Sequence, residues 1–222
     1  MVALQASAAR DWTVEKAIVS IVAGFAAVTV LAPAAQADSS WDGFYAGVHG
    51  EYLWGEPTVG GGIAPFLDGG EFEGFAGGVT GGYNHVFDQI LVGVEADIGL
   101  SEADGNVRYL TSEGVNVDLD WLSTIRGRLG FIHEDLLFFA TGGLAMGGLE
   151  ADVFGSSPSN LDKTAVGYAV GGGAEWAISD RMTVKAEYLY IDLAGEDLSA
   201  TFIFDRVGLE TSLVRLGVNW QF

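Results

Sequence analysis

An all-β chain, folded as an eight-stranded antiparallel up-and-down transmembrane β-barrel, is the fold class this sequence predicts. Three observations predict it. Eight segments alternate apolar and polar residues at period two, the signature of strands with two unlike faces. The links between those segments alternate short and long. Finally, the polar members of the alternation include charged residues at mid-strand, so an apolar-in, polar-out soluble core is inverted.

The segments run Gly43–Trp54, Gly74–His85, Ile90–Leu100, Val117–His133, Leu136–Gly148, Thr164–Ala177, Met182–Leu193 and Thr211–Phe222. Each is near the ~9–11 residues that a tilted membrane strand needs. None sustains an apolar repeat of 3.6. In the third, Val92, Val94, Ala96, Ile98 and Leu100 oppose Gly93, Glu95 and Asp97. The fourth sets Ile125, Leu129 and Phe131 against Thr124, Arg126, Arg128 and Gly130, and the seventh sets Val184, Ala186, Tyr188 and Tyr190 against Lys185 and Glu187. The eighth puts Val214, Leu216, Val218, Trp220 and Phe222 on one face and Leu213, Arg215, Gly217, Asn219 and Gln221 on the other.

Val86–Gln89, Glu134–Asp135 and Ile178–Arg181 are hairpin-length links with Asp or Ser-Asp turn chemistry. Gly55–Glu73, Ser101–Asn116, Leu149–Lys163 and Ala194–Glu210 are long. Short turns on one side and long loops on the other, with both termini periplasmic, put the long loops outside the cell. Aromatics gather at strand ends: Tyr52, Trp54, Phe75, Trp121, Tyr188 and Tyr190 towards the outer boundary, Tyr83, Phe87, Phe131, Phe138, Trp176, Trp220 and Phe222 towards the periplasmic one. Such girdles form where amphipathic rings settle at headgroup level.

Residues 1–37 read as a cleaved signal peptide and 38–222 as the barrel domain. Arg10 and Lys16 precede an apolar run from Ala17 to Leu31, shorter than the ~20 residues of a membrane helix. Ala35-Gln36-Ala37 then supplies a small-residue cleavage site between Ala37 and Asp38. Cysteine is absent, so no disulfide framework exists, and a net charge of −20 argues against nucleic acid. Mean hydropathy is nevertheless positive, +0.30, which requires charged and apolar residues to be sorted into separate zones.

With strands placed, Trp41-Asp42-Gly43-Phe44-Tyr45-Ala46-Gly47, Val184-Lys185-Ala186-Glu187-Tyr188-Leu189-Tyr190 and Val214-Arg215-Leu216-Gly217-Val218-Asn219-Trp220-Gln221-Phe222 resemble the small outer-membrane barrels of the OmpA-like superfamily, especially Omp25/Omp31-type porin-family proteins. The resemblance covers Asp38 to Phe222 and implies location in the outer membrane of a Gram-negative bacterium. It also implies that Phe222 is the signal read by the barrel-assembly machinery.

Parity points Glu51, Glu95, Asp97, Arg126, Arg128, Glu175, Lys185, Glu187 and Arg215 into the lumen. Eight strands leave little more than room for side chains, so these charges are expected to pair and plug the barrel. The expected function is structural: envelope integrity, with surface presentation through the loops. A narrow channel for small solutes or ions, and an adhesin using the acidic loops, are the alternatives. The long links carry Glu56, Asp68, Glu71, Glu73, Glu102, Asp104, Glu113, Glu196, Asp197, Asp205 and Glu210. Carboxylates are hard oxygen ligands, so divalent cations shared with lipopolysaccharide phosphates are expected partners, without a defined metal site. Catalysis is not expected: His85 and His133 lie at the periplasmic ends, His49 points inward, and Ser123 has lipid-facing parity, so no nucleophile meets a base. No cofactor is implied. A soluble lipocalin-like barrel, with apolar faces inward, is the alternative fold.

Overall fold

Every segment forms a strand, and the eight close into one barrel in chain order, β1 pairing with β8. The computed structural model describes residues 41–60, 72–109, 113–154, 159–197 and 206–222. The strands are β1 (Gly43–Gly60), β2 (Phe72–Phe87), β3 (Ile90–Tyr109), β4 (Glu113–His133), β5 (Leu136–Phe154), β6 (Ser159–Ser179), β7 (Met182–Asp197) and β8 (Arg206–Gln221). All neighbours are antiparallel. Residues 1–37, read above as a signal peptide, and Asp38 after the expected cleavage point lie outside the described residues.

The strands are longer than the alternation predicts. They run from 16 to 21 residues, against the ~9–11 needed to cross a bilayer. The excess lies at the end opposite the short turns, which takes in much of what reads as loop from sequence. Glu56, Glu73, Glu102, Asp104 and Glu210 are therefore strand residues. Register shifts between Leu100 and Ala103 and between Leu119 and Trp121 break the strict period there. Bulges of this kind explain why the two-residue rhythm fades at those points.

The three short connections are two-residue turns: Asp88-Gln89, Glu134-Asp135 and Asp180-Arg181. Asp88 (φ 60°) and Glu134 (φ 55°) take the left-handed conformation that tight hairpins require. The turns also brace neighbouring hairpins: Ile132 N–H donates to Gln89 O at 2.8 Å, Ala177 N–H to Asp135 O at 2.9 Å, and Gln221 N–H to Arg181 O at 2.8 Å.

The outer face carries the large apolar side chains: Val48, Val94, Ile125, Leu129, Leu144 and Leu216 are exposed. The rings settle where the alternation places them, with Tyr52 against Phe75 (centroids 5.0 Å) at one end and Phe44 against Tyr83 (4.8 Å) at the other. A soluble barrel would reverse this arrangement. Lipid is the medium in which such a face costs nothing.

Candidate functional site: the barrel interior

Three layers fill the interior. Towards the long-link end, Leu53, Leu119, Leu122, Leu189, Ile191 and Leu213 belong to one buried apolar cluster. The inward alternation thus turns apolar above the charged stretch, so the lumen is not polar throughout. Sequence parity had placed Leu213 on that face, but a pattern of isolated leucines gave no sign that they meet. At the short-turn end, Trp41, Leu91, Leu137 and Phe139 form a second apolar cluster. Between the two lies a belt of charge.

All nine residues assigned to the lumen by parity lie in that belt, and all are buried: Glu51, Glu95, Asp97, Arg126, Arg128, Glu175, Lys185, Glu187 and Arg215. Register sets opposite charges directly across from one another. Glu51 faces Arg215, Arg215 faces Glu187, Glu95 faces Arg126 and Glu175 faces Lys185. Cross-strand opposites of this kind are mutually stabilising. Inward glycines let neighbouring strand backbone approach closely: a Cβ at Gly143 would stand 2.1 Å from Ile125 O and 2.7 Å from Arg126 Cα.

Arg126 is the hub. Its Nη1 donates to Glu187 Oε1 at 2.6 Å, and its Nη2 donates to Glu95 Oε1 at 2.6 Å and Asp97 Oδ2 at 3.1 Å. Lys185 Nζ reaches both Glu95 oxygens, at 2.9 and 2.8 Å. Arg128 Nη2 donates to Glu175 Oε2 at 2.7 Å, and its guanidinium lies over the Phe139 ring, 4.4 Å from the centroid. Belt and lower cap are therefore continuous, through a cation–π contact. Arg215 Nε donates to Glu51 Oε2 at 2.6 Å and its Nη2 to Asp97 Oδ1 at 3.1 Å; Nη1 lies 3.1 Å from Asp97 Oδ2 without an aligned hydrogen bond.

Neutral partners complete the belt, and sequence reading did not single them out. Tyr45 is buried, donates to Glu95 Oε2 at 2.7 Å and accepts from Arg128 Nη1 at 2.7 Å. Thr124 Oγ1 donates to Asp97 Oδ2 at 2.6 Å and accepts from Arg126 Nε at 2.8 Å. Thr183 and Asn219 donate to Glu175 Oε1. Inward parity was the available signal for each, but it does not tell a partner from a spectator.

The residues weighed for catalysis stay apart. Ser123 Oγ donates to Asp97 O at 2.7 Å, and His85 Nδ1 lies 3.3 Å from Asp42 Oδ1 at the short-turn rim. His133 is exposed, whereas His49 is buried in the interior. Among the described residues no group of three His, Cys, Asp or Glu side chains is arranged to hold a metal ion. Phe222 follows β8 with its ring outward and exposed.

The family model for the outer membrane protein beta-barrel domain matches residues 23–222. Among curated relatives, the chain is 38% identical to the 31 kDa outer-membrane immunogenic protein of Brucella melitensis biotype 1, over 67% of each chain. It is 33% identical to the 22 kDa outer membrane protein of Rhizobium leguminosarum bv. viciae, over 82% of this chain and 79% of the relative. The fold is similar to that of the outer membrane protein OprG of Pseudomonas aeruginosa (TM-score 0.55, 12% identity, 83% of this chain and 99% of that one). It is also similar to Neisserial surface protein A (TM-score 0.51, 15% identity, 82% and 98%). An apolar outer face, a closed eight-strand sheet and a match over nearly the whole chain lead to one conclusion: the chain belongs to the outer membrane protein beta-barrel domain family, is of the Omp25/Omp31 type, and resides in the outer membrane of a Gram-negative bacterium.

Proposed function

We propose that this protein is a sealed structural barrel of the bacterial envelope, which presents its long links outside the cell and passes no solute. The observation that carries the reading is the three-layer interior: an apolar core, a paired charge belt and an apolar cap, one above another. Water or an ion would have to cross two dry zones and break a hydrogen-bonded ion network, each at a cost of several kcal/mol. The prolonged strands support the same reading. They carry a packed apolar core towards the long links, so those links spring from a stiff pedestal rather than from the membrane surface.

In this reading both termini are periplasmic and the long links face outward. The relatives from Brucella are named immunogenic outer-membrane proteins, which favours surface exposure of the corresponding links here. Glu56 and Glu210 are exposed and directly opposed in register, and Asp192 opposes Glu210 on the far side. Opposed like charges destabilise a sheet, and a divalent cation shared with lipopolysaccharide phosphates would offset that repulsion. The outward ring of Phe222 is available to the assembly machinery as a recognition element. Residues 1–37 serve as the export signal.

Planar-bilayer recording of the refolded protein tests the proposal. The expected result is a silent bilayer at all salt concentrations while the protein is shown to be inserted. Discrete, salt-dependent conductance steps would replace the sealed barrel with a narrow channel.

A further inference from the structure

The charges enclosed in the barrel do not balance. Among the described residues the interior holds five carboxylates, Glu51, Glu95, Asp97, Glu175 and Glu187, against four cationic groups, Arg126, Arg128, Lys185 and Arg215. One negative charge is left over in a space shielded from water above and below. An uncompensated buried charge is among the most costly features a fold can carry.

Hydrogen bonding locates the surplus. Both oxygens of Glu95 accept hydrogen bonds, as do both of Asp97, Glu175 and Glu187. Glu51 differs. Its Oε2 accepts from Arg215, while its Oε1 is buried with no partner. Two residues away on the same inward face of β1, His49 is also buried, and its Nδ1 has no partner. Their Cα atoms lie two residues apart on one strand, about 7 Å at ~3.3 Å per residue, with both side chains inward. Arg215 on β8 and Asp97 on β3 face both groups; Arg126 on β4 also faces Glu51, and Glu95 on β3 and Lys185 on β7 also face His49. Ala76 lies opposite Glu51 on β2, Gly78 lies opposite His49, and Glu187 of β7 completes the belt around them.

We infer that the barrel interior is a one-proton binding site, with the proton held by the Glu51–His49 pair. Placed on Glu51 Oε1 it gives a neutral carboxyl; placed on His49 it gives an imidazolium beside a carboxylate. Either way five negative charges meet five positive ones, or four meet four. The inference rests on the enclosure of the belt and does not depend on whether the barrel presents its loops to any partner.

Refolded protein in detergent micelles tests it at neutral pH. Infrared spectra of wild type and Glu51→Gln report a protonated carboxyl, and ¹⁵N spectra of the three histidines of the unmutated protein report an imidazolium independently of any variant. One of the two is expected: a carboxylic C=O stretch that vanishes in E51Q, or a buried imidazolium assigned to His49. Linkage gives the accompanying pH profile. A proton bound only in the folded state stabilises it at low pH and is lost as pH rises, so wild type should lose stability relative to E51Q with a slope approaching one proton. A Glu51 carboxylate together with a neutral His49 would overturn the inference. So would a wild-type stability that changes when Na⁺ is replaced by choline, because the balancing charge would then be a bound alkali cation.

Discussion

Arg126→Met removes the hub of the charge belt and leaves its partners in place. Glu187 then loses both of its hydrogen bonds, since each comes from Arg126, and retains only Lys185 at 3.7 Å and Arg215 at 3.8 Å. Glu95 and Asp97 each lose one ion pair, and the enclosed charge becomes more negative by one. Removing one partner of a buried pair costs about 3–5 kcal/mol, chiefly because the other charge stays behind without compensation. With urea slopes of about 1–3 kcal/mol per molar, the unfolding midpoint should fall by at least about 1 M. Urea titration in lipid vesicles, followed by the emission of Trp54, Trp176 and Trp220 on the outer face, reads it directly. The double change Arg126→Met with Glu187→Leu should recover at least half the loss, because an apolar pair is a tolerable replacement for an ionic one. A single variant within 1 kcal/mol of wild type, or a double variant no better than the single, would refute the view that pairing in the belt governs stability.

Three further outcomes follow from the two faces and the tight strand contacts. Leu216 is 62% exposed and lies midway along β8 between Trp220 and Ser212, the residue opposite Trp54, so Leu216→Arg should cost about 2–4 kcal/mol at the bilayer midplane in the same titration. Leu189→Ala, at a fully buried position of the upper core, should cost about 2–5 kcal/mol by leaving a cavity. Gly50→Ala should be silent, since a Cβ there meets nothing within 4 Å, whereas Gly143→Ala should impair refolding, since its Cβ would clash with Ile125 O and Arg126 Cα.

Much of this molecule was legible in the chain because a membrane strand must keep one face apolar whatever its neighbours are. Parity alone sent Glu95, Arg126, Lys185 and Arg215 inward, and the two-residue turns were marked by Asp and Ser-Asp at the breaks. Pairing was not legible. That Glu95 faces Arg126, or that Glu51 faces Arg215 across the closing seam, depends on barrel register, which no local pattern encodes. The long-link ends misled for a related reason. There many outward residues are acidic and the inward ones are apolar, among them Phe72, Ala103, Val117 and Leu119, the rhythm of an ordinary half-buried strand, interrupted by bulges. Read beside clusters of Gly and Ser, it looks like loop.

Trp41 shows how the layers divide the work. It precedes β1, yet its ring is 3% exposed against Leu91, Leu137 and Phe139 at the short-turn mouth, with Asp42 beside His85 on the rim. From position alone it would pass as a linker residue or as one more girdle aromatic. Trp41→Ala should cost up to about 3–5 kcal/mol, the usual range for a large ring removed from a packed site. It should not open the barrel. Phe139 would still cover Arg128, the ion belt would still be closed above it, and the leucine layer would still be dry above that. Bilayer recording of the variant should therefore stay silent while its unfolding midpoint falls. Were Trp41→Ala to conduct, the lower cap would be the whole barrier, the belt and upper core would be permeable, and the layered seal would have to be abandoned for a single stopper.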